Sequence, residues 1–102
     1  MADSAEIWKL HLVYRLAQIQ EQFDADVLGK VRTIEGVTSV GVAPSPDAST
    51  HLAFSTRYAH AVAAAVAAKQ CLQEAVDEHN ATGWWWQRKV RLVDEPAVRK
   101  VA

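Results

Sequence analysis

The spacing of apolar residues changes along this chain of 102 residues, and the order of those changes constrains the fold more than any single motif. Alternation with period two is typical of a half-buried strand, and recurrence at every third or fourth residue is typical of an amphipathic helix. The pattern predicts the order strand, helix, strand, strand, helix, strand. The predicted bounds are 6–17, 18–34, 37–43, 51–58, 59–80 and 84–93.

Residues that interrupt regular structure stand between these segments. Gly36 is expected to end the first helix, because glycine adopts the positive φ of a helix C-terminus without steric cost. Two prolines in 44–49 remove backbone donors, so this stretch is a predicted hairpin loop. Thr82 and Gly83 end the second helix. The positions of these breaks agree with the six-element order.

This order predicts an α+β fold of the ferredoxin-like type, in which a four-stranded antiparallel sheet carries two helices on one face. Half of the residues are apolar, which suffices for the core of one domain of this length. We therefore expect residues 1–102 to form a single domain with polar tails at 1–5 and 96–102.

The alanine-rich segment 59–80 contains no glycine or proline and is the best-defined predicted helix. Helical spacing predicts that one stripe faces the sheet, made of Val62, Ala65, Val66, Leu72 and Val76. The same spacing places Cys71 opposite that stripe, as an exposed thiol, and Lys69 close to it. The abundance of alanine is expected to let the helix backbone approach the sheet closely.

Composition excludes several classes of protein. A formal net charge of −1 differs from the basic excess of a histone-like protein and from the acidic excess of a solvating tail. No apolar run reaches the roughly 18 to 20 residues of a membrane span, and the acidic N-terminus is unlike a signal peptide, so we expect a cytoplasmic protein. The single cysteine cannot form an internal disulfide or a cysteine-based zinc cluster. The sequence also lacks a phosphate-binding glycine loop and a nucleophile elbow, and we expect no cofactor, no metal and no catalytic residues.

The segment Ile34–Val42, with the sequence IEGVTSVGV, resembles the junction of first helix and second strand in heavy-metal-associated and ACT domains. This resemblance implies the ferredoxin-like fold. The former family carries Cys-x-x-Cys after its first strand and the latter a glycine-rich loop, whereas this chain has AQIQE at 17–21. The resemblance therefore does not extend to metal or amino-acid binding. The extended first segment, the acidic helix and the Ile-x-Gly-Val-Thr junction also resemble small phage-encoded proteins, which places a phage structural or assembly protein among the expected functions.

Alternate strand residues in such a fold point away from the helices and form an open sheet face. Bases concentrate in the predicted strands and acids in the predicted helices, so this face is predicted to be basic. The predicted interaction residues are Lys9, His11, Arg15, His51, Arg57, Trp85, Lys89, Arg91 and Val93. Of the three consecutive tryptophans, only the middle one reaches this face, and exposed tryptophan is enriched in binding hot spots.

We expect a non-enzymatic interaction or assembly module that forms homo-oligomers or docks a protein partner through this face or through the edge strands. RNA or single-stranded DNA is the alternative partner, because RNA-recognition domains use the same face, although Thr50–Ser55 lacks their aromatic signature. A further hypothesis is that the open sheet face is merely solvated and has no specific binding role. A small dimeric α+β enzyme with His11 or His51 as base is the last alternative, and two histidines without a third ligand do not predict a zinc site.

Overall fold

The structure, a computed structural model, describes residues 6–18, 21–44, 49–82 and 89–101. Its elements are β1 (Ile7–Tyr14), α1 (Glu21–Arg32), β2 (Val37–Pro44), β3 (Thr50–Arg57), a 3-10 helix (Tyr58–His60), α2 (Ala61–Thr82) and β4 (Ala97–Val101). The predicted α+β class, with two helices and a four-stranded antiparallel sheet, is confirmed. Each of the first five predicted segments lies within three residues of an observed element.

All neighbouring strands are antiparallel, and their order across the sheet is β2-β3-β1-β4. Leu12 at the centre of the sheet lies opposite Leu52 of β3 and Val98 of β4. Residues that are paired in this way share a face, because side chains alternate along each strand. The helices cover the face that carries the apolar set, and the core consists of Leu10, Leu12, Tyr14, Phe23, Val27, Val31, Leu52, Phe54, Ala64, Ala68, Leu72, Ala75 and Val90.

The inner face of α2 differs from the predicted one. The buried residues of this helix are Ala61, Ala64, Ala68, Leu72 and Ala75. Val62 and Val66, which were predicted to face inward, are 79% and 53% exposed. Four of the five inner positions are alanines, whose short side chains pack against the Leu and Phe side chains of the strands, and Leu72 is the one large inner residue among them.

Two further predictions on α2 are corrected by this rotation of the helix. Cys71 is half-buried and packs against the core instead of being fully exposed. Lys69 is exposed instead of lying beside the inner stripe. Both errors have the same origin. α2 has one apolar stripe that contains valines and another made mainly of alanines, and either could face the sheet. Only the packing against the sheet selects between them.

The last strand is the main correction to the predicted fold. Residues 97–101, expected to belong to a polar tail, form β4, whereas the described part of the predicted strand, 89–93, contains a single bridge, Leu16 with Leu92. The backbone N–H of Ala17 donates to the carbonyl of Arg91 at 2.9 Å, so this segment runs along the continuation of β1. Pro96, which lacks a backbone N–H, lies between the bridge and β4, where pairing with β1 is interrupted.

Asn80 near the end of α2 fixes where the C-terminal segment meets the helix layer. Its Nδ2 donates to the carbonyl of Val90 at 3.1 Å, and the Val90 N–H donates to its Oδ1 at 2.8 Å. The side-chain amide therefore pairs with the backbone of Val90 as a neighbouring strand would. Val90 is buried, so these bonds satisfy backbone groups that water does not reach.

Gly36 adopts the positive φ that the sequence predicts, with a value of 90°. The N–H of Val37 donates to the carbonyl of Ile34 at 3.2 Å, which closes a turn with Gly36 at its third position.

In the described ranges, no helix is long and apolar enough to cross a bilayer.

Candidate interaction surface

The open face of the sheet is formed by the strand residues that alternate with the core residues. The register places Lys9, His11, Ser39, Gly41, His51, Ala53, Ser55 and Arg57 on this face, as predicted. In β4 the same register adds Ala97, Arg99 and Val101, because Arg99 lies opposite His11. Three described strands therefore match the predicted surface, and the fourth brings different residues to it.

The described part of 84–93 meets the sheet only at the bridge of Leu92 with Leu16, beyond the end of β1. Leu92 packs against the core, so its neighbours Arg91 and Val93 point to the open side there. Lys89, Arg91 and Val93 are exposed but lie outside the four strands. The Nζ of Lys89 instead donates to the carbonyl of Asn80 at 2.6 Å, near the C-terminus of α2. Trp85, the predicted contact residue, lies outside the described residues, as do Trp84 and Trp86.

Arg15 directly follows β1 and is paired. Its Nε lies 3.7 Å from Oδ2 of Asp94, with the two side chains 45% and 68% exposed. Pairs this exposed stabilise a protein by about 0 to 1 kcal/mol. The pair nevertheless offsets the charge of Arg15, so its guanidinium adds less to the basic surface than predicted.

The cations that the four strands carry on the open face are Lys9, Arg57 and Arg99. No aspartate or glutamate occupies the open face among the described residues of β1, β2, β3 and β4. The imidazole rings of His11 and His51 lie edge to face near the middle of the sheet, with ring centroids 5.7 Å apart. The face therefore combines positive charge at its margins with a pair of aromatic rings on the two central strands.

A shallow depression of about 260 Å³ crosses the open face. Small residues of β2 and β3 form its floor, and Lys9 and His11 stand at its side; the residues of the open face that line it are Lys9, His11, Ser39, Gly41, Ala53, Ser55 and Val101. The small side chains at Ser39, Gly41, Ala53 and Ser55 make this part of the surface lower than its surroundings.

A second depression of about 280 Å³ lies at the end of the sheet where β1 and β4 diverge. Within it, Oγ of Ser49 is 3.2 Å from Nε2 of His51. Arg15, Arg99, Asp94 and Glu95 also line it, so its charges are mixed. A hydroxyl next to an imidazole resembles the nucleophile and the general base of a catalytic triad. Among the described residues, however, no carboxylate accepts a hydrogen bond from the other ring nitrogen of His51, as the third member of a triad would.

The remaining reactive groups lie on the helix side. Burial raises the pKa of the Cys71 thiol, with a smaller contribution from Glu74, so the neutral, weakly nucleophilic form predominates near neutral pH. Lys30 Nζ lies 2.9 Å from Oε2 of Glu78, and this hydrogen bond raises the pKa of Lys30. The described residues contain no cluster of three His, Cys, Asp or Glu side chains able to hold a metal ion.

Arg99 is the residue that the sequence interpretation missed. The segment after Pro96, AVRKV, alternates Ala97, Arg99 and Val101 with Val98 and Lys100, and that alternation was the available signal.

Comparisons of the chain with protein-family models, curated protein sequences and solved structures find no match.

Proposed function

We propose that this chain is a ferredoxin-like, non-enzymatic interaction module that docks an acidic protein segment on the open face of its sheet. The element order and the strand order β2-β3-β1-β4 support the fold assignment. The observation that carries the function is the charge of the open face, where Lys9, Arg57 and Arg99 lie on strands that contain no described aspartate or glutamate. Asp94 and Glu95 stand near Arg99 only at the end of the face where β1 and β4 diverge. Such a surface attracts an anionic partner and repels a cationic one.

The charge of this face argues against self-association through it. A two-fold contact places the same patch of both copies face to face. Lys9, Arg57 and Arg99 of one copy would then meet those of the other, and the acidic side chains of Asp94 and Glu95 lie only at one end of the patch. Like charges brought together in an interface are unfavourable, so the open face fits a different, acidic molecule better than it fits itself.

Single-stranded nucleic acid is the second candidate, favoured by the paired rings of His11 and His51 on the two central strands. The number of cations decides against it as the first choice. Neutralising three phosphates of a single strand gives a slope of log affinity against log salt of about −2, which is small beside that of dedicated nucleic-acid binders. A protein segment also uses the low floor at Ala53 and Gly41, whereas a base could stack there only on His11 among the described open-face residues that line the depression.

The test compares Arg57→Glu with Lys69→Glu, since both change the net charge equally but only Arg57 lies on the open face. The probes are a labelled glutamate-rich peptide and a labelled single-stranded oligonucleotide of equal charge, and binding is followed by fluorescence anisotropy at several salt concentrations. We expect Arg57→Glu to weaken peptide binding by about three- to tenfold, as for loss and reversal of one exposed charge, and Lys69→Glu to leave it unchanged.

Equal losses in both variants would show that only net charge matters and would refute docking on the open face. Tighter binding of the oligonucleotide than of the peptide, again sensitive to Arg57→Glu, would transfer the site to nucleic acid. Binding of neither probe would refute the proposal that this face recognises negative charge.

A further inference from the structure

The two outer strands of the sheet differ in how well they resist pairing with another strand. Exposed strand edges carry unpaired backbone groups, and natural proteins protect them with charged side chains, lysine above all. β4 has two bases, Arg99 and Lys100, among five residues. β2 has eight residues, VTSVGVAP, and no charged side chain; a register shift between Val37 and Ser39 and the proline at its end leave 39–43 as its regular, uncharged edge. Within the described residues no strand pairs with its outer side.

On the helix side of the sheet, the surface next to the edge of β2 is apolar. Val42 is 44% exposed there, although it is a large apolar residue. A depression of about 390 Å³ lies where α1 meets β2, and it is lined by Asp24, Ala25, Leu28 and Val42. An added strand at this edge would cover this apolar surface as well as the backbone groups of β2.

We propose that the edge of β2 pairs antiparallel with β2 of a second copy of this chain, joining two four-stranded sheets into one of eight strands. The two-fold axis of such a pair stands perpendicular to the sheet, so both helix layers remain on the same side. Each α1 then lies beside its symmetry mate in antiparallel orientation, because α1 packs next to β2.

The charges of α1 select a second copy as the occupant. On the side of α1 that carries Ala25 and Leu28, Asp24 lies in the first half and Arg32 in the last turn, seven residues after Ala25. Lys30 lies on the other side, where it pairs with Glu78 of α2. Antiparallel copies of this helix therefore place Asp24 of each beside Arg32 of the other. Ala25 and Leu28 flank the midpoint of the helix, so the middle of the contact is small and apolar. An uncharged strand flanked by a self-complementary helix fits a copy of itself.

This association is independent of what the open face binds. Both open faces lie on the same side of the joined sheet, so the dimer would present two copies of the basic surface without bringing their cations into contact. The edge of β2 thus supplies self-association that the charge of the open face disfavours.

The experiment measures the mass of the purified full chain by sedimentation equilibrium from micromolar to near-millimolar concentration, for the native chain, Val42→Lys and Val62→Lys. Both valines are exposed, and both variants add the same charge, but only Val42 lies at the β2 edge. We expect the native chain and Val62→Lys to dimerise and Val42→Lys to remain monomeric, with circular dichroism verifying that each is folded.

A native chain that is monomeric at every concentration would overturn the proposal, as would a dimer that persists in Val42→Lys or is lost equally in Val62→Lys. If Val42→Lys does not fold, Arg32→Glu on the exposed surface of α1 provides the decisive measurement. Because the two-fold axis uses each charge twice, we expect Arg32→Glu to raise the dimer dissociation constant about tenfold. An unchanged constant would refute the α1 contact. None of these results depends on binding of acidic peptide by the open face.

Discussion

Gly36 offers the sharpest test of how local backbone geometry supports this fold. Its φ is 90°, and a Cβ added there would lie 2.8 Å from Cγ and 2.9 Å from Cβ of His60. A left-handed conformation costs a residue with a Cβ about 1 to 2 kcal/mol. Moving the His60 ring off its preferred rotamer adds about 0.5 to 1.5 kcal/mol. We therefore expect Gly36→Ala to lower the free energy of unfolding by about 1.5 to 3.5 kcal/mol.

The assay is urea denaturation of Gly36→Ala, His60→Ala, the double variant and Gly29→Ala. Gly29 lies in α1, and nothing stands within 4 Å of an added Cβ, so the same chemical change should raise the free energy of unfolding by about 0.5 to 1 kcal/mol. In the double variant the contact with the His60 ring disappears, while the Cβ of residue 60, 2.9 Å from the added Cβ, and the φ penalty remain, so the cost of Gly36→Ala should fall by about 0.5 to 1.5 kcal/mol. A cost of Gly36→Ala below about 0.5 kcal/mol, or one that His60→Ala leaves unchanged, would refute the respective part of this reasoning.

Two further predictions concern buried polar contacts. Asn80→Ala removes both hydrogen bonds to the buried backbone of Val90, so it should lower the free energy of unfolding, measured by urea denaturation, by about 1 to 3 kcal/mol. The control Gln73→Ala removes only an exposed amide contact and should change this free energy by less than about 0.5 kcal/mol. Equal effects of the two substitutions would refute the anchoring role of Asn80. Burial, followed by the hydrogen bond of 2.5 Å to Asp24, raises the pKa of Tyr14 above its usual value. The folded chain therefore keeps this proton where the unfolded chain releases it, so the free energy of unfolding should fall above pH about 10 by up to about 1.4 kcal/mol per pH unit. Tyr14→Phe should remove this part of the alkaline loss, and an identical pH dependence in both proteins would contradict it.

The apolar periodicity predicted the first three strands and both helices because each buries its own stripe or face, and a period is visible without knowledge of neighbours. The last strand could not be placed in this way. Both 84–93 and 97–101 are compatible with a strand, and the choice depends on where β1 ends, on the interruption at Pro96 and on the contacts of Asn80 with Val90. These are contacts between segments distant in sequence.

The candidate surface was predictable to the same extent. Lys9, His11, His51 and Arg57 follow from the alternation within β1 and β3, and the register places them as expected. Arg99 was missed because it enters the face only through pairing of β4 with β1. Their role in binding is the proposal that Arg57→Glu tests.

The sequence by itself determined the α+β class, the order of the first five elements, the positive φ at Gly36 and the alternation that gives β1 and β3 a basic open face. Each of these depends on local sterics or on the repeat of a single segment. Only the tertiary structure decided which stripe of α2 faces the core, which C-terminal segment becomes β4 and which strand is left as an uncharged edge. These outcomes depend on the space and hydrogen-bonding groups that other segments leave, and no local pattern contains that information.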